Sequence, residues 1–185
     1  PSIKFIEKDS FKGSKIKQIL IPSSVTYIGE KSFKKCKYLT DVKIPYTVKS
    51  IGSRAFEGCS GIEGTLTINA KITEIRTSCF EECNKITEII LPQTIQNIGS
   101  SSFRSCSRLT SINFPTNLIT IYDGAFYECN KLAISIEFPS KLSKIGDEAF
   151  YRCIELSGKL TIGAGIKEIG KAAFAYCSNL RQLDI

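Results

Sequence analysis

A phenylalanine stands three residues before a cysteine seven times in this chain: Phe33/Cys36, Phe56/Cys59, Phe80/Cys83, Phe103/Cys106, Phe126/Cys129, Phe150/Cys153 and Phe174/Cys177. Successive phenylalanines lie 23 or 24 residues apart. A degenerate copy precedes them within residues 1–30, where Phe11 is followed by Ser14 in the thiol position. Units this small cannot bury an apolar face alone, so a repeat of this regularity dictates stacking of one unit on the next. Residues 1–185 therefore read as a single array of about eight rungs.

Each rung repeats one internal plan. From Phe33 the apolar positions are Cys36, Leu39, Val42, Ile44, Val48 and Ile51. Val42 and Ile44 alternate with period 2 and are β-branched, which predicts a short strand. The same signal recurs at Ile19/Ile21, Leu66/Ile68, Ile89/Leu91, Ile112/Phe114, Ile136/Phe138, Leu160/Ile162 and Leu183/Ile185. Proline usually follows (Pro22, Pro45, Pro92, Pro115, Pro139) and ends the ladder because it has no N–H. Phe33, Cys36 and Leu39 are spaced by three, which predicts a single helical turn. Gly29, Gly52, Gly99, Gly146 and Gly170 precede that segment and are expected to supply a tight turn. The 24-residue steps place their extra residue between Ile62 and Leu66, Leu132 and Ile136, and Leu156 and Leu160, which predicts a tolerant corner before the strand. The expected fold is α/β: a right-handed solenoid with a parallel sheet on one face and short helical turns on another, roughly 35–40 Å long at the usual strand spacing.

The pattern L-x-x-V-x-I of Leu39 to Ile44 resembles the core of leucine-rich repeats. The fuller rungs LTSINFPTNLITIYDGAFYEC and LSGKLTIGAGIKEIGKAAFAYC resemble the BspA-like, Treponema-type subclass over essentially the whole chain. One slot departs from the general pattern. Three positions after the strand, where asparagine or cysteine is usual, stand Thr47, Lys71, Thr94, Asn117, Lys141 and Gly165. No asparagine ladder closes that turn, so horseshoe curvature is not implied. The resemblance implies a surface or secreted protein of a bacterium or protist parasite, with attachment to host cells, matrix proteins or other microbes. A cytoplasmic interaction protein stays open, because ladder thiols are unusual in oxidising surroundings unless buried.

The cysteines read first as a buried ladder, since a free thiol behaves as a small hydrophobe. Disulfides between neighbouring rungs and a metal site stay open as alternatives. Cys79, the eighth, takes a slot held elsewhere by Ser32, Ala55, Ser102, Ala125, Ala149 and Ala173. The chain has no histidine, which excludes Ser–His, Cys–His and His-zinc chemistry. GAGIKEIG (163–170) looks like a phosphate loop but lacks the G-K-[ST] ending and aligns with an ordinary rung. No enzyme and no cofactor are expected.

Two surfaces are candidates for binding. The strand residue between the inward positions points outward, giving the column Lys43, Thr67, Ile90, Asn113, Glu137 and Thr161, with Leu20 before it and Asp184 after it. Beside it runs Gln18, Asp41, Thr65, Glu88, Ser111, Ser135, Lys159 and Gln182. Such variation on a constant scaffold suits a protein partner, with Ile90 and Leu20 as apolar contacts. The second candidate is the basic start. The net charge of +7 falls within residues 1–50, where eleven lysines face four carboxylates. Lys31, Lys34, Lys35 and Lys37 crowd one turn and suit an acidic glycan or anionic surface. Nucleic acid is disfavoured, since arginine clustering and interleaved aromatics are missing. No apolar run is long enough to form a transmembrane helix. The chain reads as an excerpt of a longer protein, and a structural spacer is the alternative to a binding module.

Overall fold

A computed structural model describes residues 2–134 and 137–184 of the chain. The rungs stack with like residues opposite one another. The expected strands line up along one face, the first sheet, in three paired groups: Gln18–Leu20 with Asp41–Lys43, Glu63–Thr67 with Lys85–Ile90 and Ser111–Ile112, and Gly158–Thr161 with Leu180–Asp184. All pairings are parallel, with Val42 beside Ile19, Ile89 beside Leu66, and Ile112 beside Ile89. Bridges from Ile44 to Ile68 and from Glu137 to Thr161 extend the column. Ser135, Ile136 and Ile185, expected in these strands, lie outside the described residues.

The extra residues between Ile62 and Leu66 and between Leu156 and Leu160 do not form a corner before the strand. Both fall inside lengthened strands, where the pairing register shifts between Gly64 and Thr65 and between Gly158 and Lys159. Gly64 and Gly158 have φ of 75° and 81°. Glycine takes that left-handed geometry without a Cβ penalty, so each insertion is absorbed as a bulge.

A second parallel face, which the repeat pattern does not announce, is built from two-residue strands in a sheet of three, Phe5–Ile6, Tyr27–Ile28 and Ser50–Ile51, and a sheet of five, Glu74–Ile75, Asn97–Ile98, Thr120–Ile121, Lys144–Ile145 and Glu168–Ile169. Its isoleucines pair in register, for example Ile98 with Ile75 and Ile121 with Ile98. The following glycines do not sit in left-handed turns. A Cβ on Gly29 would lie 2.6 Å from the backbone of Glu7 and Lys8, and one on Gly99 would lie 2.6 Å from the Ile75 carbonyl. These glycines let the rungs approach.

The expected helical turn is not a helix, and no helix occurs among the described residues. Lys31 and Lys35 have φ of 55° and 60°, and the same two positions flanking the ring are left-handed in every rung. Tight turns close from Ser32 N–H to Gly29 O (3.3 Å) and from Cys36 N–H to Phe33 O (3.0 Å), each with a positive φ at its third residue as in type II turns. The left-handed residues turn alternate amides along the long axis. Lys31, Phe33 and Lys35 therefore donate to Ser53, Ala55 and Glu57 of the next rung at 3.0, 2.8 and 2.7 Å. A helix would send those amides back along its own turn. The chain instead satisfies them between rungs, which makes this corner a third hydrogen-bonded column.

One continuous core fills the interior. Eight rings from Phe11 to Phe174 stack in sequence, with centroids 5.0–5.8 Å apart, inside the favourable range for offset aromatic pairs. Beside Phe33 and Phe103 sit Ser32 and Ser102, both fully buried, with hydroxyl oxygens that find no partner among the described residues. Ala55, Ala125 and Ala149 fill the same slot. Removing an unsatisfied buried hydroxyl relieves its desolvation, so Ser102→Ala is expected to raise stability by about 1 kcal/mol. A urea midpoint that falls instead would mean the hydroxyl has a partner.

Candidate binding surface

The cysteines face inward, so they are not part of a surface site. All eight are buried and unpaired. Each ladder thiol donates to the phenylalanine carbonyl of the preceding rung, from Cys36 to Phe11 O at 2.9 Å through Cys177 to Phe150 O at 3.1 Å. S–H is a weak donor, yet seven equal contacts point all the thiols one way. Burial drives their pKa values up, to about 12 for Cys59 and Cys106 and about 11 for Cys177. A protonated, shielded thiol is a poor nucleophile.

In the slot after the strand, three of the six residues named above bond back to a carbonyl of the preceding rung. Thr47 and Thr94 donate through Oγ1 to Val25 O (2.9 Å) and Ile72 O (2.6 Å) of the preceding rung. Asn117 donates through Nδ2 to Gln93 O at 3.0 Å.

The structure places Lys43, Thr67, Ile90, Glu137 and Thr161 on the outer side of the first sheet. Thr67 lies beside Ile90, and Glu137 beside Thr161. Ile90 is 42% exposed in mid-array, an apolar side chain standing between Thr67 and Asn113 in this column. Asn113 is differently employed. Its Oδ1 accepts from Leu91 N–H at 2.7 Å and its Nδ2 donates to Leu91 O at 3.0 Å, so both amide groups serve the preceding rung. Leu20 is 85% exposed, but it belongs to an open apolar end with Ile3, Phe5 and Phe11 rather than to the middle of the sheet. In the neighbouring column Thr65 donates to Glu88 at 2.8 Å, and Lys159 pairs with Asp184, whose carboxyl is drawn below its usual range by that ammonium.

The four clustered lysines do not form one free patch. Lys34 pairs with Glu57 at 2.7 Å, with both side chains largely covered, and Lys31 pairs with Glu30 at 2.7 Å. Lys31's hydrogen bond is the largest influence holding the Glu30 carboxyl below its ordinary pKa. Lys35 and Lys37 point elsewhere, into a polar furrow of about 460 Å³ that runs along the thiol corner.

Stacked parallel strands, in-register apolar ladders and an outer face that changes from rung to rung define a solenoid of leucine-rich repeats. The chain belongs to the BspA-type leucine-rich repeat family, whose model matches in six copies over residues 4–133 and 99–185. Among solved structures it is similar to a leucine-rich cell surface protein from Faecalibacterium prausnitzii, with 21% identity and a TM-score of 0.75, covering 99% of this chain and 65% of that one. A leucine-rich repeat protein from Bacteroides ovatus is 28% identical, with a TM-score of 0.71 over 99% of this chain and 53% of that one. The leucine-rich repeat protein of T. pallidum is 23% identical, with a TM-score of 0.71 over 98% and 76%. The chain thus spans just under two-thirds and about half of the first two proteins. Curated proteins give no match. No helix among the described residues is long and apolar enough to cross a membrane.

Proposed function

We propose that this chain is a non-enzymatic protein-binding module of a surface or secreted protein, meeting host-cell, matrix or microbial partners through the outer face of its first sheet. The observation that carries this reading is the column Lys43, Thr67, Ile90, Glu137 and Thr161: outward side chains of four different kinds on a repeating scaffold. Asn113 supports that face by tying it to Leu91. Kinship with a protein described as a leucine-rich cell surface protein favours the surface setting.

Binding would be multivalent, with modest contacts spread over several rungs and Ile90 as the apolar anchor. A buried anchor in such an interface is typically worth 2 kcal/mol or more, roughly a thirtyfold change in affinity. Ile90→Asp on the intact chain is therefore expected to abolish most binding to immobilised matrix proteins and whole cells. The side chain is exposed, so folding is expected to survive, as circular dichroism would verify. Retained binding by Ile90→Asp together with Lys43→Glu and Glu137→Lys would overturn this reading and favour a spacer.

A further inference from the structure

The polar furrow along the thiol corner has a chemistry of its own. It is lined by the residues immediately before and after successive ladder cysteines, including Lys35/Lys37, Glu82/Asn84 and Glu128/Asn130, and it crosses five rungs. Gly58 also lines it, with Lys35 Cγ lying 3.3 Å from where a Cβ on that glycine would sit. Elsewhere on this corner the charges are spent on each other, as in Lys34–Glu57 and Arg104–Glu81, and at the far end of the furrow Glu128 is taken up by Arg152. Within the furrow, Lys35, Lys37, Glu82 and Asn84 make no side-chain hydrogen bond or ion pair among the described residues. Asn130 also lines the furrow, with its Oδ1 buried beneath the surface and without a partner among the described residues. Uncommitted donors and acceptors therefore line the trough from Lys35 and Lys37 to Glu82 and Asn84.

We propose that this furrow binds a linear, neutral, hydroxyl-rich glycan with its chain along the long axis, one sugar ring per rung. Rungs recur every ~4.8 Å, close to the length of one pyranose unit, whereas an extended peptide repeats every ~3.3 Å and falls out of step. Carboxylates, amides and ammonium groups side by side match vicinal hydroxyls, which both donate and accept. The unpaired Glu82 carboxylate repels a polyanion, so the lysines at one end do not make this a heparin or nucleic-acid trough. Toward the other end the same column continues through Arg152 to Tyr176, which is 67% exposed, and Arg152 lies 5.8 Å from that ring. An exposed tyrosine face is a stacking platform for a sugar ring. This surface is separate from the first-sheet face, and the proposal stands independently of the protein-binding reading.

Calorimetric titration of the intact chain with neutral hexasaccharides of cellulose, chitin and starch type tests it, with a sulfated heparin hexasaccharide and an acidic peptide as comparators. At least one neutral hexasaccharide is expected to bind, more tightly than its disaccharide. The double variant Glu82→Gln/Asn84→Ala is expected to weaken it about tenfold, the loss of one or two net hydrogen bonds. Tyr176→Ala, in the last rung, is expected to weaken it with the rest of the array intact. Absence of binding by all three neutral sugars at millimolar concentration overturns the proposal. So does tighter binding of the heparin fragment or the peptide, or full affinity in both variants.

Discussion

Phe80→Ala is expected to destabilise the chain by about 3–5 kcal/mol, the usual range for truncating a fully buried aromatic. Phe80 has no exposed surface and lies between Phe56 at 5.3 Å and Phe103 at 5.8 Å, with interplanar angles of 0° and 6°. Its loss opens a cavity and interrupts the ring stack at mid-array. In a solenoid each rung contacts only its neighbours, so stability is the sum of rung and interface terms. A weak central interface therefore also uncouples the halves. Urea unfolding followed by circular dichroism should show a lower midpoint and a broader or two-step transition. Phe11→Ala supplies the contrast, because Phe11 is 38% exposed and stacks on one ring only. Its cost should be about 1–2 kcal/mol, near the burial value of part of one side chain, with cooperativity unchanged. Equal effects from the two substitutions would mean that the stack does not carry the coupling.

What was legible in the sequence was whatever repeats at one address in every rung. The inward strand pairs such as Val42/Ile44 and Leu66/Ile68, and the burial of the Phe–Cys ladder, follow from periodicity that a single chain displays eight times. The second sheet was not legible. Each of its strands has two residues, one of them inward as at Ile51 or Ile98, and two residues cannot display an alternation. The left-handed corners were hidden for a different reason. Lys31, Glu82 and Arg152 hold positive φ in positions where glycine or asparagine would have announced a turn. Hydrogen bonds between rungs hold them there, and that partner is more than twenty residues away. Spacing by three then looked like a helical turn when it was a succession of tight turns.

The candidate surfaces divide along the same line. Strand alternation alone placed Ile90 and Glu137 outward. It gave no hint that Asn113 would spend its amide on Leu91, or that Lys34 would meet Glu57, because those partners come from adjacent rungs. The furrow was hidden in the variable residues beside each cysteine, which share an address and no chemical pattern.

Alkali is expected to unfold this protein steeply. In the unfolded chain a thiol titrates near pH 9.0, whereas burial holds Cys59 and Cys106 protonated up to about 12 and raises the other thiols in the same direction. Desolvation of the thiolate is the largest cause in each case. Between those values the folded chain keeps a proton that the unfolded chain has released. The stabilising contribution is therefore complete below about pH 9 and is lost as pH rises toward the folded value. Each such thiol removes about 1.4 kcal/mol per pH unit across that window, so several together exceed the stability of an ordinary domain within about two units. Urea midpoints measured from neutral pH to pH 10 should drop increasingly fast, and thiolate absorbance should appear only with unfolding. Cys79→Ala separates this cause from general alkaline repulsion. Alanine fills the same slot at Ala55 and Ala125, so the fold should accept it, and one titrating thiol is gone. The slope of stability against pH should become shallower by about 1.4 kcal/mol per unit above pH 9. An unchanged slope, or thiolate absorbance growing in while the chain is still folded, would show that the ladder is open to solvent and that its burial does not govern the alkaline limit.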